Sequence, residues 1–241
     1  PRAGVEAVLA FIRSDERFAN LPHRECETER TTFHRLRIII RPEIVTLGDP
    51  SVNPSEVVGE YVCPEDWNQL ISDSDVLVID TRNDYEVELG TFRDAANPNT
   101  TTFGEWKEFV QENLGHAKQR KVAMFCTGGI RCEVISAMMK KRGFKDVYQI
   151  DGGIVKYGEA YGDDGLWEGH LRVFDDRMTV QFSDNAKTIG ECTHCKAATS
   201  NFENCAYANC NDLVLICEEC LQNPDLLYHT DACRERSLVS R

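Results

Sequence analysis

Two groups of side chains in this 241-residue sequence have the types and spacing of reactive or ligating residues. The first is the run Cys126-Thr127-Gly128-Gly129-Ile130-Arg131-Cys132. An apolar stretch from Val122 to Phe125 stops at Cys126. After the glycines and the arginine comes an amphipathic stretch, with Val134, Ile135, Met138 and Met139 on one stripe and Gly143 as its stop. That pattern predicts a buried strand turning tightly into a helix. Backbone amides in such a turn, with the positive end of the helix behind them, favour a thiolate and would equally hold a persulfide or a bound anion. The glycines supply backbone angles that other residues resist. The sulfur is expected to be open to solvent at the mouth of this nest, and a sulfur sealed away from solvent would count against an enzyme. The plainer alternative is a free cysteine packed as a small hydrophobe.

Loop length separates two chemistries. Cys126 to Arg131 is Cys-x4-Arg, six residues. Cysteine phosphatases use Cys-x5-Arg, whose wider ring of amides fits a tetrahedral phosphate; the shorter ring suits a terminal sulfur. Arg131 either holds the cradle or pairs with a substrate phosphate, and a structural salt bridge is an equal alternative. Asp80 and Arg82, at the end of the neighbouring apolar run, read as an ion pair supporting the loop. Cys132 could resolve an oxidised Cys126, or simply pack. Glu133 reads as a first-turn helix stabiliser.

The second group is a cysteine-rich tail, with Cys-x2-Cys-x9-Cys-x4-Cys-x6-Cys-x2-Cys spacing over Cys192, Cys195, Cys205, Cys210, Cys217 and Cys220, and Cys233 beyond. Two Cys-x2-Cys knuckles at this separation are a zinc signal. The simplest ligand set is Cys192, Cys195, Cys217 and Cys220, with Cys205 and Cys210 as alternatives. Four thiolates would close a structural site, which a short tail needs to fold without a large core. Reduced thiols without metal, or disulfides formed on oxidation, are the alternatives.

Alternating apolar runs and amphipathic stretches position these groups. Asp75–Asp80, the strand into Cys126 and Val147–Ile150 read as strands buried on both faces. Helices are expected from Pro64, over Glu105–Leu114, after the Cys126 loop and over Ile154–Ala160. Such alternation predicts an α/β domain whose parallel sheet carries helices on both faces, with its site at the strand C-termini. Ahead of it, residues 3–13 predict an amphipathic helix, Phe33–Ile40 a strand and Ile44–Leu47 a second short strand, together resembling the latter half of a small α+β sandwich. The sequence opens at Pro1 without a methionine, so a natural start is expected upstream. The turn-rich Asp49–Ser55 segment marks a boundary, giving expected units 1–48, 49–161 and 162–241.

Eleven cysteines without a secretory signal, and no apolar run of membrane-spanning length, point to a cytoplasmic protein with metal-binding or catalytic thiols. The net charge of −13 argues against general nucleic-acid affinity. Its distribution is uneven: residues 49–116 carry −12, whereas 117–145 carry +7 from Lys118, Arg120, Lys121, Arg131, Lys140, Lys141, Arg142 and Lys145 against Glu133. This island is expected to surround Cys126 and bind a polyanion; complementing a helix C-terminus is an equal alternative. Arg30, Arg35, Arg37 and Arg41 form a smaller basic cluster.

Several motifs carry a family likeness. Asp80-x-Arg82 with Glu86, Gly90 and Ala95-x-Asn97-Pro98, the Cys126–Arg131 loop, and Asp151-Gly152-Gly153 resemble the signatures of a rhodanese domain. With Ile44–Gly48, Ile79–Glu86, Phe125–Glu133 and Val173–Arg177 in that order, the chain is similar to the bacterial tRNA uridine hydroxylases. The resemblance implies a ferredoxin-like domain, a rhodanese domain and a cysteine-rich tail. It also implies oxygen-dependent formation of 5-hydroxyuridine at the wobble position of tRNA, with Cys126 as the active-site cysteine, proposed to carry a persulfide. The partners would be a tRNA anticodon loop and, for persulfide loading, a protein donor. No 2-His-1-carboxylate set or dinucleotide-binding glycine motif supplies an obvious oxygen-activating centre. Addition of a thiolate to carbon 6 of uracil would make carbon 5 electron-rich toward an oxidant. The loop physics alone favours a plain sulfurtransferase, moving sulfane sulfur from thiosulfate or a protein persulfide, and a non-catalytic zinc and rhodanese scaffold is a third reading.

Overall fold

A computed structural model describes residues 2–23, 25, 32, 33, 37–210 and 212–239. The chain divides into two units, Pro1–Leu36 and Arg37–Arg241. In the first, helix α1 (Arg2–Arg13) forms where the periodicity predicts it, with Val5, Val8 and Phe11 exposed. A 3-10 turn at Glu16–Phe18 follows, its Arg17 amide donating to the Asp15 side chain. The expected strand over Phe33–Ile40 is not formed in its described part, and positions 34–36, like Arg30 and Arg35, lie outside the described residues. A strand needs a partner to satisfy its backbone. Among the described residues none pairs with Ile38, Ile39 or Ile40, which stand 88%, 58% and 98% exposed. Ile44–Leu47 is likewise not a strand; Ile44 faces solvent, while Leu47 packs into the main core.

In the second unit, β1 (Glu60–Val62), α2 (Pro64–Ile71), β2 (Val76–Asp80), α3 (Asp84–Val87), β3 (Gly90–Phe92), α4 (Trp106–Asn113), β4 (Lys121–Phe125), α5 (Ile130–Lys141), β5 (Val147–Ile150) and α6 (Gly153–Tyr161) follow one another. Strands β1, β5, β4 and β2 pair in that order, all parallel. Strand β1 was not expected: three residues with two exposed side chains carry too little apolar signal to read.

Period-two alternation splits the apolar strand residues between two cores. Val122 and Met124 of β4 pack with Trp106, Val110, Ile135, Met138 and Met139 of α4 and α5 on one face. Ala123 and Phe125 pack with Trp67, Ile154 and Tyr157 of α2 and α6 on the other. The second face centres on Phe92, with its ring edge-on to Trp67, Phe125, Tyr157 and Trp167 at 4.7 to 5.8 Å. Burying one such ring contributes about 1.5–3 kcal/mol. In register, Asp80 of β2 lies beside Phe125 of β4, so the chain leaves both strands at the same end of the sheet.

The remaining elements are β6 (Trp167–Gly169), β7 (Leu171–Arg172), β8 (Thr179–Val180), β9 (Phe202–Asn204), β10 (Leu213–Leu215), α7 (Glu218–Leu221) and α8 (Asp231–Val239). Antiparallel pairing of β6 with β3 ties this extension to the sheet domain, and β9 with β10 forms a hairpin within it.

Candidate active site and cysteine clusters

Cys126 directly follows β4, and Gly129, at φ +97°, caps α5 in the left-handed region that L side chains resist. The loop between them is pinned from behind. Amides of Ile154 and Val155, opening α6, donate to the carbonyls of Cys126 and Thr127 at 3.0 and 3.1 Å. Gly153 permits that approach: a Cβ there would meet Thr127 O at 2.5 Å and Gly128 Cα at 2.7 Å. With the carbonyls held outward, the loop amides turn in. The Gly129 N–H donates to Cys126 Sγ at 3.1 Å, and the amides of Arg131 and Cys132 also reach the sulfur.

These contacts favour the thiolate of Cys126. Its pKa is pulled down to about 5, chiefly by a hydrogen bond from the Cys132 thiol and, against the cost of burial, by the Arg131 charge and the loop amides. Cys132 moves the other way, held up by burial and by its neighbour's charge. The pair is a thiolate and a thiol sharing one proton.

Arg131 is held in a fork. Its guanidinium bonds both oxygens of Glu86, at 2.5 and 2.8 Å, and the Thr127 hydroxyl at 3.2 Å. Glu86 is fully buried at the start of α3, where it also accepts from the Asn83 amide. The guanidinium further faces the Phe174 ring at 5.8 Å, bringing the Val173–Arg177 segment to the loop. Asp80 and Arg82 form a second buried pair at 2.5 and 2.9 Å, with Arg82 reaching on to the carbonyl of Gly90. These two ion pairs brace the loop end of β2. Glu133 accepts from the Tyr61 hydroxyl at 2.8 Å.

Two expectations are corrected. Cys126 is not open to solvent: it is 2% exposed, within the apolar cluster that includes Leu47, Cys132 and Ile135. The exposed parts of the loop are Gly128 and Ile130. Nor does the basic island surround the thiol. Helix α5 runs back along the sheet for about 18 Å at 1.5 Å per residue. Lys140, Lys141, Arg142 and Lys145 therefore lie, with Lys118, Arg120 and Lys121, toward the end of the sheet opposite Cys126. There they bond carbonyls: Lys140 that of Lys145, Lys141 that of Ser51 and Arg142 that of Lys107. Of the island, Arg131 alone sits at the loop.

Sequence reasoning missed Glu86 as the partner of Arg131, and Arg172, whose guanidinium stacks on Phe174 and Phe202 at 5.6 and 6.0 Å. Glu86 stood in the rhodanese signature, and the Asn83-x-x-Glu86 spacing is a helix-start signature, but neither pointed to its partner.

In the tail, Cys192, Cys195, Cys217 and Cys220 converge, with their sulfurs all within 4.8 Å of one another. Tetrahedral Zn–S bonds of about 2.3 Å would set sulfurs about 3.8 Å apart, so the four thiols could hold a metal such as zinc. The Cys220 amide donates to Cys217 Sγ at 3.5 Å, and Lys196, after the first knuckle, has φ +64°. Cys205 and Cys210 are not part of this group.

Residues 64–160 match the rhodanese-like domain and 168–235 the rhodanase C-terminal family. The tRNA uridine(34) hydroxylase of Rhizobium etli is 50% identical over 182 residues, 75% of this chain, and the chain spans 59% of that relative's length. Among solved structures, a Rhodopseudomonas palustris protein of unknown function, titled a possible tyrosine phosphatase, is 24% identical with TM-score 0.36, covering 42% of this chain and 81% of its own. The polysulfide-sulfur transferase of Wolinella succinogenes is 22% identical with TM-score 0.36, covering 42% and 74%. Residues 64–160 form a rhodanese-like domain, and three quarters of the chain is similar to the Rhizobium etli tRNA uridine(34) hydroxylase.

Proposed function

We propose that this chain hydroxylates the wobble uridine, position 34, of tRNA to 5-hydroxyuridine in a reaction that consumes dioxygen, with Cys126 reacting as thiolate or persulfide. The observation that carries this reading is the ionised sulfur in its nest of amides, in a chain 50% identical over 182 residues to a protein of that name. A single-stranded anticodon loop can splay a base toward such a site. Cys126 is the nucleophile, adding to carbon 6 of uracil so that carbon 5 becomes electron-rich; carbon 5 takes one atom of dioxygen, a two-electron donor reduces the other to water, and loss of the carbon 5 proton with departure of the thiolate restores the ring. Thr127, Gly128, Gly129 and Ile130 form the cradle, Arg131 keeps positive charge beside the sulfur, and Asp80 with Arg82 supports the loop from below. Cys132 holds the proton that Cys126 lacks.

Because Cys126 is 2% exposed, its cover must shift to admit a base, or reaction occurs at the outer sulfur of a persulfide, about 2 Å further out. A groove of about 370 Å³ beside the loop, lined by Ile130, Glu133, Val134 and residues between Pro42 and Ser55, offers room for the substrate. Cys192, Cys195, Cys217 and Cys220 hold zinc in a closed structural site, since four thiolates leave no open position for catalysis. Among the described residues no helix is long and apolar enough to cross a membrane, and a cytoplasmic location fits free thiols.

The six-residue loop also favours a second reading, transfer of sulfane sulfur from a protein persulfide through Cys126. Mass analysis of tRNA nucleosides from cells lacking the protein, complemented with wild type or Cys126→Ser, tests the first. Loss of 5-hydroxyuridine-derived nucleosides, restored by wild type alone, is expected. Unchanged nucleosides with active thiosulfate:cyanide exchange would replace it by the second reading; neither activity would leave a binding scaffold.

A further inference from the structure

Three more cysteines in the tail are unused by the site above. Cys205 follows β9, Cys210 precedes β10 across the hairpin turn, and Cys233 lies in the first turn of α8. Their sulfurs all fall within 4.8 Å of one another. Three thiols so placed leave one tetrahedral position to fill, and two further side chains lie beside Cys210: Cys210, Asp212 and His229 form a second group within 4.8 Å of one another. The His229 amide donates to Cys205 Sγ at 3.3 Å, which fixes residue 229 against the cluster. Its imidazole Nδ1 lies 3.2 Å from Asp212 Oδ2. A carboxylate bonded to one ring nitrogen commonly orients a histidine whose other nitrogen binds metal.

We propose that Cys205, Cys210, Cys233 and His229 form a second structural zinc site, with Asp212 orienting the histidine. The spacing is Cys-x4-Cys on the hairpin and His-x3-Cys entering α8, within the range of closed Cys3His sites. The ligand pairs of the two sites alternate along the chain: the knuckle at Cys192 joins the knuckle at Cys217, and the hairpin pair between them joins the pair at 229 and 233.

Packing gives the same answer. The tail's own apolar cluster is small, with Cys192, Val214, Ile216 and Cys217 as its buried members, while Phe202 and Leu215 pack on Leu89 of the sheet domain. Helix α8 contributes nothing to it: none of residues 231–238 is buried, and Leu238 is 66% exposed. A helix of nine residues does not persist on propensity alone, so it needs an anchor. Cys233 pointing at Cys205 and Cys210 supplies one. The first site clamps the open end of the β9–β10 hairpin and the second its turn, so the two ions stand in for a core that so short a segment cannot build.

The inference shares the zinc chemistry proposed for the first site but stands on a different ligand set, so the two fail separately. Zinc and sulfur are measured together by elemental mass spectrometry on the full chain, purified reduced and without chelator. Two zinc ions per chain are expected, falling to one in Cys233→Ser and in His229→Ala, and staying at two in His229→Cys. X-ray absorption on the unmutated chain, which needs no variant to fold, should give seven sulfurs and one nitrogen shared between two ions. One zinc in the wild type would overturn the second site and leave the first; none would overturn both. Two zincs surviving in His229→Ala but not in Asp212→Ala would overturn the assignment of His229.

Discussion

Replacing Cys132 by alanine removes the largest contribution to the Cys126 thiolate without touching the loop backbone. The pKa of Cys126 stands at about 5, against an ordinary value of 9.0. A hydrogen bond to a charged group contributes about 1.5–3 kcal/mol, equivalent to about 1–2 pKa units. Cys132→Ala should therefore move the Cys126 midpoint to about 6–7, while Cys132→Ser, which keeps a hydroxyl donor in place, should stay near wild type. The assay is alkylation by limiting iodoacetamide from about pH 4 to about pH 9, reading the Cys126 peptide by mass spectrometry, because only the thiolate reacts. A less stabilised thiolate is a better nucleophile, so the plateau rate should rise about three- to tenfold as the midpoint moves right. Stability should shift in step. A depressed folded pKa gives stability that is complete above the ordinary thiol value and is lost as pH falls toward about 5. In Cys132→Ala the stability should therefore depend less steeply on pH across that window. A midpoint that stays put or falls would refute the assignment, leaving Arg131 and the amides to account for the ionised sulfur.

Glu86→Gln should leave the buried Arg131 charge without its forked partner and destabilise the chain by about 3–5 kcal/mol, read from urea denaturation. Gly153→Ala places a Cβ 2.5 Å from Thr127 O at φ +69°, so it should both destabilise the fold and slow Cys126 alkylation by disturbing the nest. Stripping metal with a strong chelator should expose the tail to trypsin while the parallel-sheet domain persists, visible as early cleavage after Lys196. The double variant Lys140→Gln, Lys141→Gln should leave Cys126 alkylation within about twofold of wild type, because these charges lie more than a Debye length of about 8 Å away.

The parallel-sheet domain was legible because each of its central signals is local. Val76–Asp80, Val122–Phe125 and Val147–Ile150 are short apolar runs, and the helices between them keep one apolar stripe, so period alone separates strand from helix. The cysteine at the end of β4, the glycines after it and the knuckles of the tail are likewise patterns of near neighbours. What failed to show were relations across the chain. Glu86 meets Arg131 45 residues away, and β1 is a strand only because β5 lies beside it. The isoleucines at 38–40 read as a strand by composition, yet pairing decides the matter.

The basic island shows most clearly why proximity in sequence misleads here. Its charges flank Cys126 in the sequence, but a strand and a helix joined by a tight loop run antiparallel, so residues equally far from the loop on either side meet at the opposite end of the sheet. Lys121 opens β4 and Lys141 closes α5; both are carried away from the sulfur by the same turn that activates it. The thiolate therefore depends on short-range donors, three loop amides, one thiol and one guanidinium held by Glu86, and not on a diffuse positive field. Short-range stabilisation in a buried setting resists salt, whereas a field of exposed lysines would be screened. The Cys126 alkylation midpoint should consequently hold steady between low and near-molar salt, and a midpoint climbing toward the ordinary thiol value as salt is added would return the island to the role its position in the sequence suggested.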